Sequence, residues 1–548
     1  MIQRHRLLIS IVLTIITFAF GLSYYWRPCV YDVKDEFKFS ATRVADDIKV
    51  ISSEPHSIEH PSERDKVRDY LAQRLNNMGI TASYYPYDSV TSRLNTKIQI
   101  SNLFSKIDPP SGEAPAYLLM VAHLDSRFRK KILDKYVYSY GAADDGYGLG
   151  VILESVRLAM RYRDNWKQGI KILFTDSEES DLDGIRRALT HNPEIFENVG
   201  FVINIEARGV RGPALLFETS PGNRDIMKLY KSAKHPFTYS VTTAVYDILP
   251  NLTDFTLLKD SYPGMNFSVI DNLRYYHTEL DNFSNISLNS IQHYGDQTEP
   301  LIYKYLTDVT YSNPESLFSE EEAVFLTMPV IGFICFSRNL YLITNILTLL
   351  ILCCTVYFLV KSKKAGYSGM IRSASLILII SLLSSLAGLC IAYLSALITG
   401  QKYNMVYLPY VKFDWIIMTV SFLALFFLAW RIYIIKIVRQ RFNQIEAITS
   451  SIFIQFFLSV VLYIFIGENF FFLLPVLFSI IAMLFSILTH TRFMYLIACI
   501  LILLLLVPFY YAIIVALTLG SLPVFMMLAS LLLSILIPVI DSFVRKLV

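Results

Sequence analysis

Between Tyr31 and Ile334, where the polar part of the chain lies, there is no cysteine. The six cysteines, Cys29, Cys335, Cys353, Cys354, Cys390 and Cys499, all fall outside that interval and form no CxxC pair. A disulfide framework and a cysteine metal knuckle are therefore excluded for the polar region. It must stand on its core alone, and roughly 300 residues are ample for that. Charge is also scarce, at 17% of residues with a formal net charge of +3. The lysines and arginines are spread over loops, and no run is long enough to follow a polynucleotide. We expect no nucleic-acid partner. The apolar stretches further on lack ionisable residues near their centres, which argues against a proton-driven pump or an ion channel.

What the chain does have is apolar length. Hydrophobic residues make up 54%, and a mean hydropathy of +0.44 lies outside the soluble range. Leu7 to Trp26 is an uncharged run preceded by Arg4, His5 and Arg6, with no AxA-like cleavage site after it. It reads as an uncleaved anchor whose basic flank keeps the N-terminus cytoplasmic and puts Cys29 onward outside. From Leu340 further spans follow, near Leu340–Val360, Ser373–Ile398, Trp415–Ile434, Ser450–Ile466, Phe470–Leu488, Arg492–Ala512 and Val524–Ile540. The loops Lys361–Arg372, Arg431–Arg441, Thr489–Arg492 and Arg545–Lys546 are basic, and the alternate loops carry few basic residues. A total of eight spans places every basic loop on the cytoplasmic side. The expected organisation is an anchor over 1–28, a globular domain over 29–325 and a helical transmembrane domain of about seven spans over 326–548. The lipid bilayer is one partner, and the apolar tail offers a surface for homo-oligomerisation.

Within the globular part, Pro61–Asn77 has a helical period, with Val67, Tyr70, Leu71 and Leu75 on one stripe and Gly79 as its stop. Thr96–Phe104 reads as a strand. Ala116–Ala122, Ile170–Phe174 and Gly200–Ile205 are short continuous apolar runs, separated by helices at Gly148–Arg161 and Leu182–Leu189. This is the pattern of an α/β fold whose mixed, mostly parallel sheet is flanked by helices. Ligands of such sheets bind beyond the carboxyl ends of the strands.

Chemistry-bearing residues gather at those ends. The first run leads into His123-Leu124-Asp125, the second into Asp176-Ser177-Glu178-Glu179 and the third into Glu206. His277 follows a strand read over Met265–Ile270. Gly141–Gly150 (GAADDGYGLG) sets Asp144 and Asp145 in a turn before an apolar helix. Adjacent acids repel unless a cation stands beside them. A mixture of imidazole and carboxylate is what zinc accepts. Asn251, Asn266, Asn282 and Asn285 each begin an Asn-X-Ser/Thr triplet.

The order HxD, DD, EE, Glu and late His resembles the M28 metallopeptidase family over about Phe37–Tyr305. NIEARGVRGPALLFETSPG (Asn204–Gly222), YYHTELDN (Tyr275–Asn282) and the multispanning tail look most like its endoplasmic reticulum metallopeptidase and vacuolar membrane protease branch. Members of that branch have nine spans, one more than read here. The resemblance implies a zinc-aminopeptidase-like fold and two zinc ions. Asp144 would bridge them, with His123 and Glu206 completing one site and Glu179 and His277 the other. Catalytic roles would fall to Glu178, the general base toward a water shared by the ions, and to Asp125, which would orient the histidine ring. Asp145 matches the residue joined to the bridging ligand by a cis peptide. The implied activity is a membrane-anchored exopeptidase, most often an aminopeptidase, acting on peptides in a luminal, periplasmic or extracellular space. Two alternatives stay open: an inactive receptor or scaffold of the same fold, and a single-zinc glutaminyl cyclase.

Overall fold

The computed structural model describes residues 2–23, 30–31, 34–132, 134–247 and 251–545. Trp26 and Cys29, where the first apolar run ends and the globular region was read to begin, lie outside the described residues, as does Lys546. The chain divides into two compact units, one of residues 26–337 and the other of residues 1–25 with 338–548.

The first unit is built on a seven-stranded sheet. Its strands are β1 (Ser83–Thr91), β2 (Lys97–Ile107), β3 (Tyr117–His123), β4 (Gly169–Thr175), β5 (Val199–Ala207), β6 (Leu215–Thr219) and β7 (Gly264–Val269), in spatial order β1-β2-β4-β3-β5-β7-β6. The four central strands β4, β3, β5 and β7 run parallel, while β1, β2 and β6 join antiparallel toward the edges. Every residue of β3, β4 and β5 is buried, as their largely apolar runs require. Alternate side chains feed opposite faces. Leu118, Met120 and Ala122 pack with Leu149, Ile152 and Val156 of the helix Gly146–Met160, and Leu119 and Val121 pack with Ile185, Ala188 and Phe255. Lys171, the exception within β4, donates to the carbonyls of Glu194 and Glu197 at 3.0 and 2.7 Å. Asn266, one of the four triplet asparagines, is fully buried in β7.

The helix Pro61–Asn77 starts on a proline and buries Val67, Leu71 and Leu75. Arg64 and Arg68 lie one turn apart on it and are buried as well. Arg64 Nε stands 3.2 Å from Asp176 Oδ1, and Arg68 Nη2 stands 2.6 Å from Asp176 Oδ2. The Ser101 N–H donates to the same Oδ2 at 2.8 Å, and the Asp176 N–H donates to Asn102 Oδ1 at 3.0 Å. This clamp pins the first residue after β4, and with it the turn that presents Glu178 and Glu179.

The second unit supplies eight helices, among the described residues, that are long and apolar enough to cross a membrane: His5–Ser23, Arg338–Lys361, Tyr367–Ile398, Asp414–Val438, Gln444–Ile466, Phe470–Thr489, Phe493–Leu517 and Leu519–Val544. These overlie the apolar spans read from the sequence. The buried acids of this unit sit at helix ends with donors at hand. Glu446 accepts from the Gly366 N–H at 2.8 Å and the Asn443 N–H at 2.7 Å. Asp541 accepts from Gln444 Nε2 at 2.7 Å and the Tyr433 hydroxyl at 3.2 Å. A charge placed near the water layer with its hydrogen bonds made is tolerable in a bilayer protein.

Asp176→Asn removes the counter-charge of buried Arg64 and leaves buried Arg68 only the exposed Asp65, so the 26–337 unit should lose about 3 kcal/mol, read as a lowered denaturation midpoint of the full-length protein in detergent. A second expectation concerns acid. His293, buried on the helix Leu288–Thr307, accepts the Ala214 N–H at Nδ1 (3.0 Å) and donates from Nε2 to the His235 carbonyl (2.7 Å). Accepting at Nδ1 needs the neutral ring, and burial, against the pull of the His235 carbonyl, pushes its pKa from 6.5 down to about 4. The unfolded chain therefore binds this proton more readily than the native one. Its contribution of about 3 kcal/mol should be present above pH 6.5 and lost as the pH falls toward 4. Melting scans across that window should show a shallower acid slope in His293→Gln.

Candidate metal centre

The parallel strands deliver their carboxyl ends to one edge. His123 closes β3 and pairs with Thr175, which closes β4, so the turn Asp176–Glu179 begins beside it. Glu206 lies near the end of β5, in register with Ser268 of β7. His277 follows β7 after the short turn Leu273–Tyr275, with its backbone in the left-handed region at φ 60°. Such a conformation costs a non-glycine residue of order 1 kcal/mol and is held by its surroundings. Here the Tyr276 ring stacks on the imidazole at 3.6 Å.

Asp144 and Asp145 are joined by a cis peptide at the start of the helix Gly146–Met160. Asp145 caps that helix. Its Oδ1 accepts the Gly148 N–H at 3.0 Å, and its Oδ2 accepts the His123 N–H at 3.2 Å. A Cβ on residue 148 would fall 2.4 Å from that Oδ2, so the cap requires the glycine of DDGYG. Asp281 holds the same turn from the other side, accepting the N–H groups of Ala143 (2.7 Å) and Asp144 (3.3 Å) and the Ser139 hydroxyl (3.1 Å). With the backbone fixed by its two neighbours, the Asp144 carboxylate is left to face inward.

Two clusters result, His123 with Asp145 and Glu206, and Asp144 with Glu179 and His277, each with its donor atoms within 4.8 Å of one another. Asp144 stands between them. Its Oδ1 is 3.2 Å from His123 Nε2, and its Oδ2 is 3.1 Å from His277 Nε2. Glu179 Oε1 lies 2.7 Å from His277 Nε2, and Glu206 Oε2 lies 3.9 Å from His123 Nε2. Distance alone groups Asp145 with His123, but both its oxygens already receive backbone N–H groups. Asp144 Oδ1 is the better donor on that side.

In each remaining carboxylate one oxygen is occupied and the other turned in. Arg127 Nη1 holds Glu179 Oε2 at 2.9 Å and the Glu179 carbonyl at 2.8 Å, and Asn204 Nδ2 holds Glu206 Oε1 at 3.2 Å. The inward atoms Asp144 Oδ2, Glu179 Oε1 and His277 Nε2 are buried with no hydrogen-bond partner beyond one another among the described residues, and one Nε2 proton can satisfy at most one of the two oxygens. Each such orphan costs about 1–3 kcal/mol unless a cation satisfies it. Carboxylate oxygens and imidazole nitrogens in two sets sharing one acid fit a pair of divalent cations of the zinc type.

Without ions, protons must balance the charge. Burial, then Asp144 and Asp254, push Glu206 up to about 8 against the pull of His123. Burial, reinforced by Glu206, Glu179 and Asp254, holds Glu178 well above the usual carboxylate range. Burial alone would lower the His123 pKa, but Asp125 and Asp144 hold it well above that of a free imidazole. Cation binding and proton release are coupled at such a site.

Asp125 fixes the His123 ring through its main chain, whose carbonyl lies 2.8 Å from Nδ1, while its carboxylate is 3.6 Å away. That carboxylate accepts instead from the N–H groups of Glu178 (2.9 Å) and Glu179 (3.3 Å), anchoring the turn that carries the candidate base. All residues singled out in the sequence, His123, Asp125, Asp144, Asp145, Glu178, Glu179, Glu206 and His277, are thus brought to one edge. Sequence reasoning passed over Arg127, over Asp281 as a backbone clamp and over buried Asp254, which accepts from the Thr175 hydroxyl. Asp281, four residues after His277, was the one with a visible signal.

Residues 102–302 match the family described as Peptidase family M28. Endoplasmic reticulum metallopeptidase 1 of Mus musculus is 30% identical over 271 residues, 48% of this chain and 28% of that protein. The vacuolar membrane protease of Candida dubliniensis is 26% identical over 262 residues, 45% of this chain and 26% of that protein. A Zn-dependent exopeptidase from Parabacteroides distasonis superposes with a TM-score of 0.39 at 20% identity, over 48% of this chain and 98% of that one. The chain spans about a quarter of the length of the curated relatives it matches. Residues 102–302 are thus similar to peptidase family M28, and the chain shows distant homology to endoplasmic reticulum metallopeptidase 1 and vacuolar membrane protease.

Proposed function

We propose that the chain is a membrane-anchored di-zinc exopeptidase that removes N-terminal residues from peptides on the non-cytoplasmic side of its membrane. The observation that carries this reading is the set of inward, unsatisfied atoms at Asp144, Glu179 and His277, opposite His123 and Glu206. His123, Asp144 Oδ1 and Glu206 would hold one ion, and Asp144 Oδ2, Glu179 and His277 the other. Bound there, the ions would polarise a peptide carbonyl and make a water acidic enough to lose a proton near neutral pH.

The chain's own residues do the rest. Glu178 is half-buried at the edge of both clusters, with its backbone fixed by Asp125. From that position it would accept a proton from water and return it to the leaving amine. Arg127 and Asn204 keep the spare oxygens of Glu179 and Glu206 occupied, so that each acid offers one atom inward. Tyr276 covers one face of the His277 ring. The alternation of basic and non-basic loops supports a cytoplasmic N-terminus and a 26–337 unit on the opposite side.

Glu178→Gln should retain two zinc equivalents and the parent melting temperature while losing at least about a hundredfold in kcat/KM on aminoacyl substrates. Asp144→Asn, which faces both clusters, should lose metal by elemental analysis. Dialysis against a chelator should abolish hydrolysis, and two equivalents of zinc should restore it. Parent-level hydrolysis in Glu178→Gln, or full activity after metal removal, would sink the assignment. A saturating stoichiometry of one zinc would favour the cyclase alternative.

A further inference from the structure

Three polar side chains cross the sheet side by side next to the metal centre. Asn204 of β5 pairs with Asn266 of β7, and Asn266 pairs with Glu218 of the edge strand β6, so the three form one row over adjacent strands. All three are fully buried. Polar groups are costly there unless their hydrogen bonds are made. Glu206 follows Asn204 by two residues and so emerges on the same face.

The hydrogen bonds of the row run in one direction. Asn204 Nδ2 donates to Glu206 Oε1 at 3.2 Å and to Asn266 Oδ1 at 3.0 Å. Asn266 Nδ2 donates to Glu218 Oε2 and to Thr253 Oγ1, both at 3.0 Å. Glu218 Oε1 accepts from Lys259 Nζ at 2.8 Å. Thr253 and Lys259 flank the short helix Asp254–Leu258, which brings both to the row. An ionised carboxylate can only accept. Glu218 therefore obliges Asn266 to present its nitrogen, which turns Asn266 Oδ1 toward Asn204. Asn204 must answer with Nδ2, and that one nitrogen also serves Glu206. Asn204 Oδ1 is left buried with no hydrogen bond among the described residues. Turning the amide over would set this oxygen against two others, so its orientation is imposed by the neighbours.

We infer that the row is a polarity relay: the Glu218–Lys259 ion pair at the sheet edge dictates which atom of Asn204 meets Glu206, and Asn204, Asn266 and Glu218 are positioning residues for that metal ligand. This rests on the di-zinc reading above and concerns its His123 side. With Oε1 held by a donor, Oε2 is the oxygen turned toward His123, at 3.9 Å from Nε2. Reversing the row would bring an amide oxygen against Glu206 Oε1 and drive the carboxylate out of place. Partners of this kind, bonded to a ligand rather than to the ion, commonly set metal affinity.

The test uses the full-length protein in detergent, stripped by a chelator and titrated with zinc against a chromophoric competitor. Glu218→Gln should keep its oxygen toward Lys259 and turn its nitrogen toward Asn266, which reverses the row. One of the two zinc equivalents should then bind about tenfold more weakly than in the parent, and the visible spectrum of the cobalt-loaded protein should change. Asn266→Asp combined with Glu218→Gln returns an acceptor to face Asn204, with the new amide donating to the new carboxylate, and should restore the parent affinity and spectrum. Asn204→Leu removes the donor and leaves the ion pair whole, so it should show the tenfold loss whether or not Glu218→Gln folds. A row that only fills space would lower the melting temperature of the zinc-free variants with zinc affinity unchanged, and that result would overturn the inference. So would a loss in Glu218→Gln that the double variant fails to restore. Turnover of aminoacyl substrates separates this from the function above. The expected zinc affinities with no turnover by the parent would keep the relay and remove the peptidase reading, whereas parent affinity and parent kcat/KM in Glu218→Gln and Asn204→Leu would remove the relay and leave that reading in place. A parent that takes up no zinc would remove both.

Discussion

Carboxylates gathered inside a protein repel one another, and burial deprives them of the water that would otherwise disperse their charge. At the open edge of this sheet Asp144, Glu178, Glu179 and Glu206 meet two imidazoles, with Arg127 the cation directly bonded to one of the acids. The surrounding structure can be understood as what is needed to hold such a group together. Four parallel strands fix the positions, since their carboxyl ends line up within one register. Core packing on both sheet faces makes that register expensive to change.

A second layer of acids acts on the backbone. Asp145 caps a helix, Asp281 pins the turn before it, Asp125 anchors the turn that bears Glu178, and Asp176 is clamped between two arginines. Each spends its oxygens on N–H or guanidinium donors, so it adds rigidity without crowding the centre with another unmatched charge. Asp144 and Glu179 are different in kind, each keeping one oxygen that faces only the His277 ring. Sequence alone cannot separate these two classes, because an aspartate in a turn looks the same whichever way it points.

The central strands were legible because they are buried on both faces and so read as largely apolar runs, and the spans were legible for the same reason at greater length. β1 was not, since its half-exposed SYYPYDSVT carries a proline and alternates poorly. Nor was the hairpin Ala323–Met328 with Gly332–Ser337, whose apolar residues blend into the helix that follows. In the site, the histidines and acids stood out by type and order. Arg127 did not, because a single arginine in a basic loop gives no sign that it reaches back to Glu179, some fifty positions later. The part played by Asp125 was half visible: its place beside His123 could be read, but not that its main-chain oxygen meets the ring while its carboxylate meets the next strand's turn.

Asp144 offers one oxygen to each half of the centre. In the di-zinc reading proposed above, the two halves would not load as strangers. An ion held against His123 would draw on the same carboxylate that faces His277, and would also fix that carboxylate's rotamer for a second. By reciprocity the influence runs equally in the other direction. A single shared side chain would thus make occupancy a joint property of the pair, one ladder rather than two independent equilibria.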